Sequence, residues 1–189
     1  MPLTELQVRG SADLYAGVTC NSDRSEVAKA QETRDYLMAH IVYVDLSAKL
    51  EQWSCNSAIA LSDGFSRVIL APSQVKQQAR DLLIAQHGRK SVRYRLLAAL
   101  IYLLVRDDLN SIRQIVIDQD YAGHQSEATI KNLLLHHLRR QTPDLDAGFV
   151  RFEEVRGSNA DQLARRVYLR RQKADRVIRF EELAGILRK

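Results

Sequence analysis

Cysteine is scarce in this 189-residue chain, which has only Cys20 and Cys55, far apart. That spacing makes neither a disulfide framework nor a metal knuckle. No apolar run approaches the roughly 20 residues of a bilayer span, and the longest, Leu96 to Val105, is about half that. The opening MPLTELQVRG carries an acid and has no apolar core. No signal peptide is therefore expected, and cytoplasmic location is the default expectation. The phosphate-cradling patterns G-x-x-x-x-G-K-S/T and G-x-G-x-x-G are missing, as are a G-x-S-x-G elbow and any zinc-ligand spacing. Nucleotide-cofactor folds, serine hydrolases of that type and structural zinc modules all lose support. There is no internal repeat, low-complexity tract or linker.

What remains is a globular composition, 46% hydrophobic and 27% charged. The net charge is +5, and its placement is uneven. From Arg139 to Lys189 there are 13 basic and 8 acidic residues, whereas the first 138 residues are balanced. Arginine dominates the excess. Its guanidinium fork matches phosphate oxygens, so the cluster suits a polyanion such as nucleic acid; otherwise it is a solvated helix face.

Residues 1–24 show no clear period and read as an irregular arm; a helix is expected from Ser25 to about His40. HIVYVDLSAKL is dense in Val, Ile and Tyr and reads as a first strand. Trp53 to Leu61 is a second, and FSRVILA, after the turn signal Ser62-Asp63-Gly64, a third. Short connections suggest an antiparallel meander. Pro72 ends the third strand, and Ser73 can cap a helix to about His87, with Val75, Ala79, Leu82 and Leu83 as its apolar stripe and Gly88 as its stop. A more apolar helix follows over Ser91 to Val105. SIRQIVID reads as a fourth strand, Ser126 to Arg140 as a helix, and GFVRFEEV as a fifth strand. Ser158 or Asn159 can cap a long basic helix to about Ala174, with Ala160, Leu163, Ala164 and Val167 as its buried stripe. FEELAGILRK closes the chain. An α/β fold with helices on the sheet faces accounts for this order.

Three acids stand at element ends. Asp45 falls in IVYVDLS, Asp118 ends IVIDQD, and Asp161 lies in the first turn of the basic helix, in GSNADQLA. Asp120, two residues beyond Asp118, can share its face. Taken singly, each has an ordinary reading: a strand end reaching water, a turn, or an acid at the positive end of a helix dipole. Asp161 and Arg165 are also spaced for an i,i+4 ion pair. If the acids converge, they repel and need a cation, and oxygen ligands suit Mg²⁺ or Mn²⁺.

The order of three strands, helix, strand, helix, strand, helix, with these acids, resembles the ribonuclease-H-like nuclease superfamily over roughly residues 40 to 176. IVYVDLS resembles its first strand, IVIDQDYAGHQSEATIKNLL its fourth strand and following helix, and GSNADQLARR its late acidic helix. The resemblance implies a mixed sheet, three antiparallel strands and then parallel crossovers, with residues 1–39 as an arm and helix before a domain over 40–189. It implies Asp45, Asp118 and Asp161 as catalytic residues holding Mg²⁺ or Mn²⁺; Asp120, by its place two residues after Asp118, is a candidate fourth ligand. Nucleic acid is the implied partner and substrate, held by Arg165, Arg166, Arg170, Arg171 and Lys173. Two departures stand out. The helix after the third strand offers only Asp81, late in its length, where family members often carry an acid. The helix Ser91 to Val105 is extra. Asp120 or Glu127 can supply a further ligand, or the site holds one ion, or none. The alternative is a nucleic-acid-binding or protein-interaction module without catalysis, with the Leu96 to Val105 helix covering a partner.

Four further residues invite chemistry. His124, six residues after Asp118, is placed to assist proton transfer. His136 and His137 are adjacent on a helix, diverge, and are not expected to chelate together. Trp53 is expected on a strand, in the core.

Overall fold

The computed structural model describes residues 39–119, 123–155 and 157–188. The expected arm and helix before residue 39, Cys20 and Asp120 lie outside the described residues. Six strands form one mixed sheet: β1 (His40–Ser47), β2 (Ser57–Ser62), β3 (Arg67–Ala71), β4 (Ile112–Asp118), β5 (Val150–Glu153) and β6 (Arg176–Val177). Their order is β5-β4-β1-β2-β3-β6. β1, β2 and β3 pair antiparallel as a meander, whereas β4 joins β1 and β5 joins β4 in parallel. Parallel neighbours need crossovers. These are supplied by α1 (Ser73–His87), α2 (Val92–Val105) and α3 (His124–Leu138), with α4 (Asn159–Tyr168) and α5 (Phe180–Leu187) following β5 and β6. The chain is thus an α/β protein whose sheet is flanked by five helices among the described residues. None of these is long and apolar enough to cross a membrane.

The alternation of side chains along β1 sorts the two faces. Val42 and Val44 enter the main core with Ile59, Leu61, Ile115 and Ile117, beneath the helices α1, α2, α3 and α5. Ten of the fourteen residues of α2 are buried. The apolar run Leu96 to Val105 is therefore consumed by this chain's own core. That corrects the expectation of a partner-covering helix and explains why the helix lacks a polar face. Tyr43 and Asp45 take the opposite face, paired with Ser62 and Ala60 of β2. There α4 seats Leu163, Ala164 and Val167 on Ala58, Ala60 and Val68. The alanines of β2 let this helix lie close to the sheet.

The hairpin between β2 and β3 turns on Asp63 and Gly64, both with positive φ (73° and 83°). Paired positive φ is what a tight hairpin of matching twist demands. A Cβ on Gly64 would also run into the His40 ring. At the far edge, Arg67, Arg106 and Arg176 interlock with Asp107, Asp108 and Glu182. Arg67 reaches Asp108 at 2.6 Å, Arg106 reaches Glu182 at 3.0 Å, and Arg176 contacts Glu182. Isolated exposed pairs contribute about 0–1 kcal/mol each, but a shared network fixes geometry. It ties β6 and α5 to the segment after α2.

Several expected boundaries shift. Trp53 to Asn56 is turn rather than strand, so Trp53 lies half-buried beside α1, with the Arg80 guanidinium 5.5 Å from its ring centre. Ser73 makes no capping hydrogen bond; its own N–H donates to Asn56 Oδ1 at 2.9 Å, so the cap is borrowed from the loop before β2. The basic helix stops at Tyr168, because Arg170 turns into the left-handed region (φ 58°) and Arg171 N–H closes back on Arg166 C=O. Arg170, Arg171 and Lys173 consequently lie beyond the helix. β6 has no counterpart among the expected elements.

Candidate active site

Parallel pairing of β1 with β4 aligns Val44 with Ile117, which sets Asp45 and Asp118 side by side where both strands end. Both point to the face covered by α4. Asp161 enters from above, in the first turn of that helix. The three side chains line one pocket of about 520 Å³, together with Leu46, Gln119, Glu154 and Arg165. Acids 73 and 43 residues apart along the chain thus share a site, and the local reason is the packing of α4. Its Ala160 and Leu163 stripe turns Asp161 toward the ends of the strands.

Each carboxylate has a distinct setting. Asp45 is only 7% exposed. Asp118 is half-buried, and its Oδ1 accepts a hydrogen bond from Val155 N–H at 2.8 Å. Ser158 caps α4, its Oγ accepting from Asp161 N–H at 3.2 Å, while Asp161 Oδ2 accepts from Gly157 N–H at 3.0 Å. Asp161 thus sits at the positive end of its helix dipole, and the expected Ser158 cap forms. Arg165, one turn on, forms no ion pair with Asp161. It stands exposed on the rim as the one basic side chain lining the pocket among the described residues.

Glu154 is the acid that sequence reasoning missed. It follows β5 and lines the pocket, whereas Glu127 lies in the first turn of α3 and does not. The signal was present in GFVRFEEV, since a parallel β5 beside β4 brings its trailing residues alongside Asp118. Asp81 lies elsewhere, paired with Arg80 at 2.8 Å beside Trp53. His124 opens α3, exposed, and does not line the acidic pocket.

An all-oxygen donor set fits a hard divalent cation by its chemistry. The acids line the pocket without closing on a point: among the described residues, no three His, Cys, Asp or Glu side chains gather tightly enough to hold one ion.

Basic residues flank this pocket on α4. A shallower groove of about 220 Å³ runs along Gln162, Arg165, Arg166, Leu169 and Arg171. Arg165 belongs to both hollows. Arg170 and Lys173 line neither. Leu169 is 45% exposed within this groove, an uncommon exposure for a large apolar side chain in this structure.

A buried lysine also escaped the sequence. Lys76 is fully buried, donating to Ser57 Oγ at 2.8 Å, Gln52 C=O at 3.0 Å and Leu50 C=O at 3.4 Å. Burial pulls its ammonium down to about 8, against the opposing influence of Cys55 and Glu51. Three acceptors for three protons make it a fastener of the loop between β1 and β2. Cys55, in that loop, is a free thiol. No family model matches the chain, and no curated protein and no solved structure matches it.

Proposed function

We propose that this chain is a metal-dependent phosphodiesterase acting on nucleic acid, of ribonuclease-H-like type. The observation that carries it is the shared pocket of Asp45, Asp118 and Asp161 at the ends of two parallel strands. An antiparallel meander followed by parallel crossovers supports the fold half of the reading, because that is the arrangement the resemblance implies. Asp45, Asp118 and Asp161 would hold Mg²⁺ or Mn²⁺, with Glu154 available as a further oxygen donor; Asp120 remains a candidate from outside the described residues. A divalent ion bound there supplies an activated water and charge neutralisation for phosphodiester hydrolysis.

The chain's own groups have separate tasks. Asp118 divides its oxygens, one on Val155 N–H and one left for the pocket. Asp161 likewise keeps one oxygen beyond its bond with Gly157 N–H. Arg165, on the rim, meets a phosphate entering the acidic pocket, and Arg166 on the helix and Arg171 just beyond its end continue the positive track. Such contacts are charge-assisted and position the backbone without reading bases.

The test is cleavage of single- and double-stranded DNA, RNA and DNA–RNA hybrid with Mg²⁺ or Mn²⁺. Cleavage that disappears in Asp45→Asn and in Asp118→Asn supports the reading; cleavage unchanged in both removes it.

A second reading is a nucleic-acid-binding module without catalysis. The open spacing of the acids favours it. It predicts binding with no dependence on divalent ions and no cleavage.

A further inference from the structure

A second pocket, of about 410 Å³, opens within the helical layer on the opposite face of the sheet. Among the described residues its polar lining is His87 of α1, Arg95 of α2, His136 and His137 of α3, Arg188 after α5, and Gln86. Among the described residues no carboxylate lines it. The rest is leucine, from α1, α3 and α5.

Four of the five basic residues have a local explanation. The three histidines lie in the last turns of their helices, and Arg188 caps the end of α5. The Arg188 guanidinium there complements the negative end of its helix dipole, whereas His137 is held neutral. Arg95 has no such explanation. It stands one turn from the start of α2, near the positive end of a helix whose first turn has no acid. Its Nε donates to Ser91 Oγ at 3.2 Å, and neither Arg95 nor Arg188 forms an ion pair among the described residues. Crowding of positive charge is felt at His137, which burial and then His136, Arg140 and Arg95 push down to about 4. Two guanidinium groups at one hollow, Arg95 standing against its own helix dipole, are offset when an anion enters.

We propose that this pocket binds a small organic phosphate with an apolar body. The arginine forks suit phosphate oxygens. Leu83, Leu133 and Leu187 supply apolar surface for the remainder of the ligand. The volume lies within the roughly 300–1,000 Å³ of small-molecule sites. Nothing here depends on the phosphodiesterase reading, since the two pockets share no residue and lie on opposite faces.

Calorimetric titration of the full chain with phenyl phosphate, inorganic phosphate and phenol tests it. Phenyl phosphate should bind more tightly than either half alone. Arg95→Gln and Arg188→Gln should each weaken it about tenfold, the scale of one lost charge-assisted hydrogen bond. Arg188 is exposed at a helix end, so its variant decides the matter if Arg95→Gln fails to fold. Asp118→Asn should leave binding unchanged. Three results overturn the proposal: no heat with millimolar phenyl phosphate, affinity unchanged in the folded arginine variants, or affinity changed by Asp118→Asn. The last would put the phosphate in the acidic pocket.

Discussion

Asp118 Oδ1 accepts the Val155 N–H at 2.8 Å, joining the end of β4 to the segment that leads from β5 into α4. The same carboxylate that faces the acidic pocket therefore also positions the approach to Asp161. Asp118→Asn keeps an acceptor oxygen, whereas Asp118→Ala removes it. The Asn variant should unfold within about 0.5 kcal/mol of the parent, and the Ala variant should lose about 1–2 kcal/mol. Urea denaturation of both variants reads the difference; equal stability would mean the bond to Val155 contributes nothing.

Lys76 should behave as a structural fastener. Lys76→Met leaves Leu50 C=O, Gln52 C=O and Ser57 Oγ without their shared donor. A cost of about 1–3 kcal/mol follows. The pH dependence has a definite sign. The folded ammonium titrates near 8 and the unfolded one near 10.5, so the unfolded chain binds more protons between those values. Stability gains from this group as pH rises through that window, and Lys76→Met should lack that gain. Parallel denaturation curves at pH 7.5 and pH 10 make the comparison.

His137 gives an acid-side counterpart. Burial first, then the cations around it, hold it near 4 against an ordinary 6.5. Between these values the unfolded chain takes up a proton that the folded chain refuses, so stability falls as pH drops from about 6.5 to about 4. The loss is at most about 3 kcal/mol. His137→Leu should show a shallower decline over the same range, measured by thermal unfolding; an identical decline would assign the acid sensitivity to other groups.

Arg165 lies where the acidic pocket meets the groove along α4. If it meets a backbone phosphate, Arg165→Gln should weaken nucleic-acid binding and lower the slope of log affinity against log salt by about 0.7–0.9. Lys173→Gln, which lines neither hollow, should change the slope by less. Fluorescence anisotropy across a salt series separates them; equal slopes in all three proteins would remove Arg165 from the interface.

Much of the fold is written in local patterns. The Val and Ile alternation of β1 and β4, the turn at Asp63-Gly64, the stop at Gly88 and the stripe Ala160, Leu163, Ala164, Val167 all reflect short-range periodicity, and the structure retains each. The misses depend on contacts between distant segments. Trp53 satisfies a strand pattern but sits in a turn fastened by Lys76, whose burial arises only when α1 docks on that loop. The run of arginines after Val167 continues a helical composition, yet the backbone reverses at Arg170. Asp45, Asp118 and Asp161 were legible as acids at element ends, and their common pocket follows from register and from α4. Glu154 trails the expected strand GFVRFEEV, and its place in the pocket follows from the parallel pairing of β5 with β4. The basic pocket draws on four helices and has no linear signature.

Mn²⁺ titration of the full chain by calorimetry, with Asp45→Asn and Asp118→Asn in parallel, tests the central claim most directly. The acidic pocket predicts saturable Mn²⁺ binding in the parent and a loss of at least about tenfold in each variant, with both variants still folded. Binding of equal strength in all three proteins, or no binding in the parent, would contradict it.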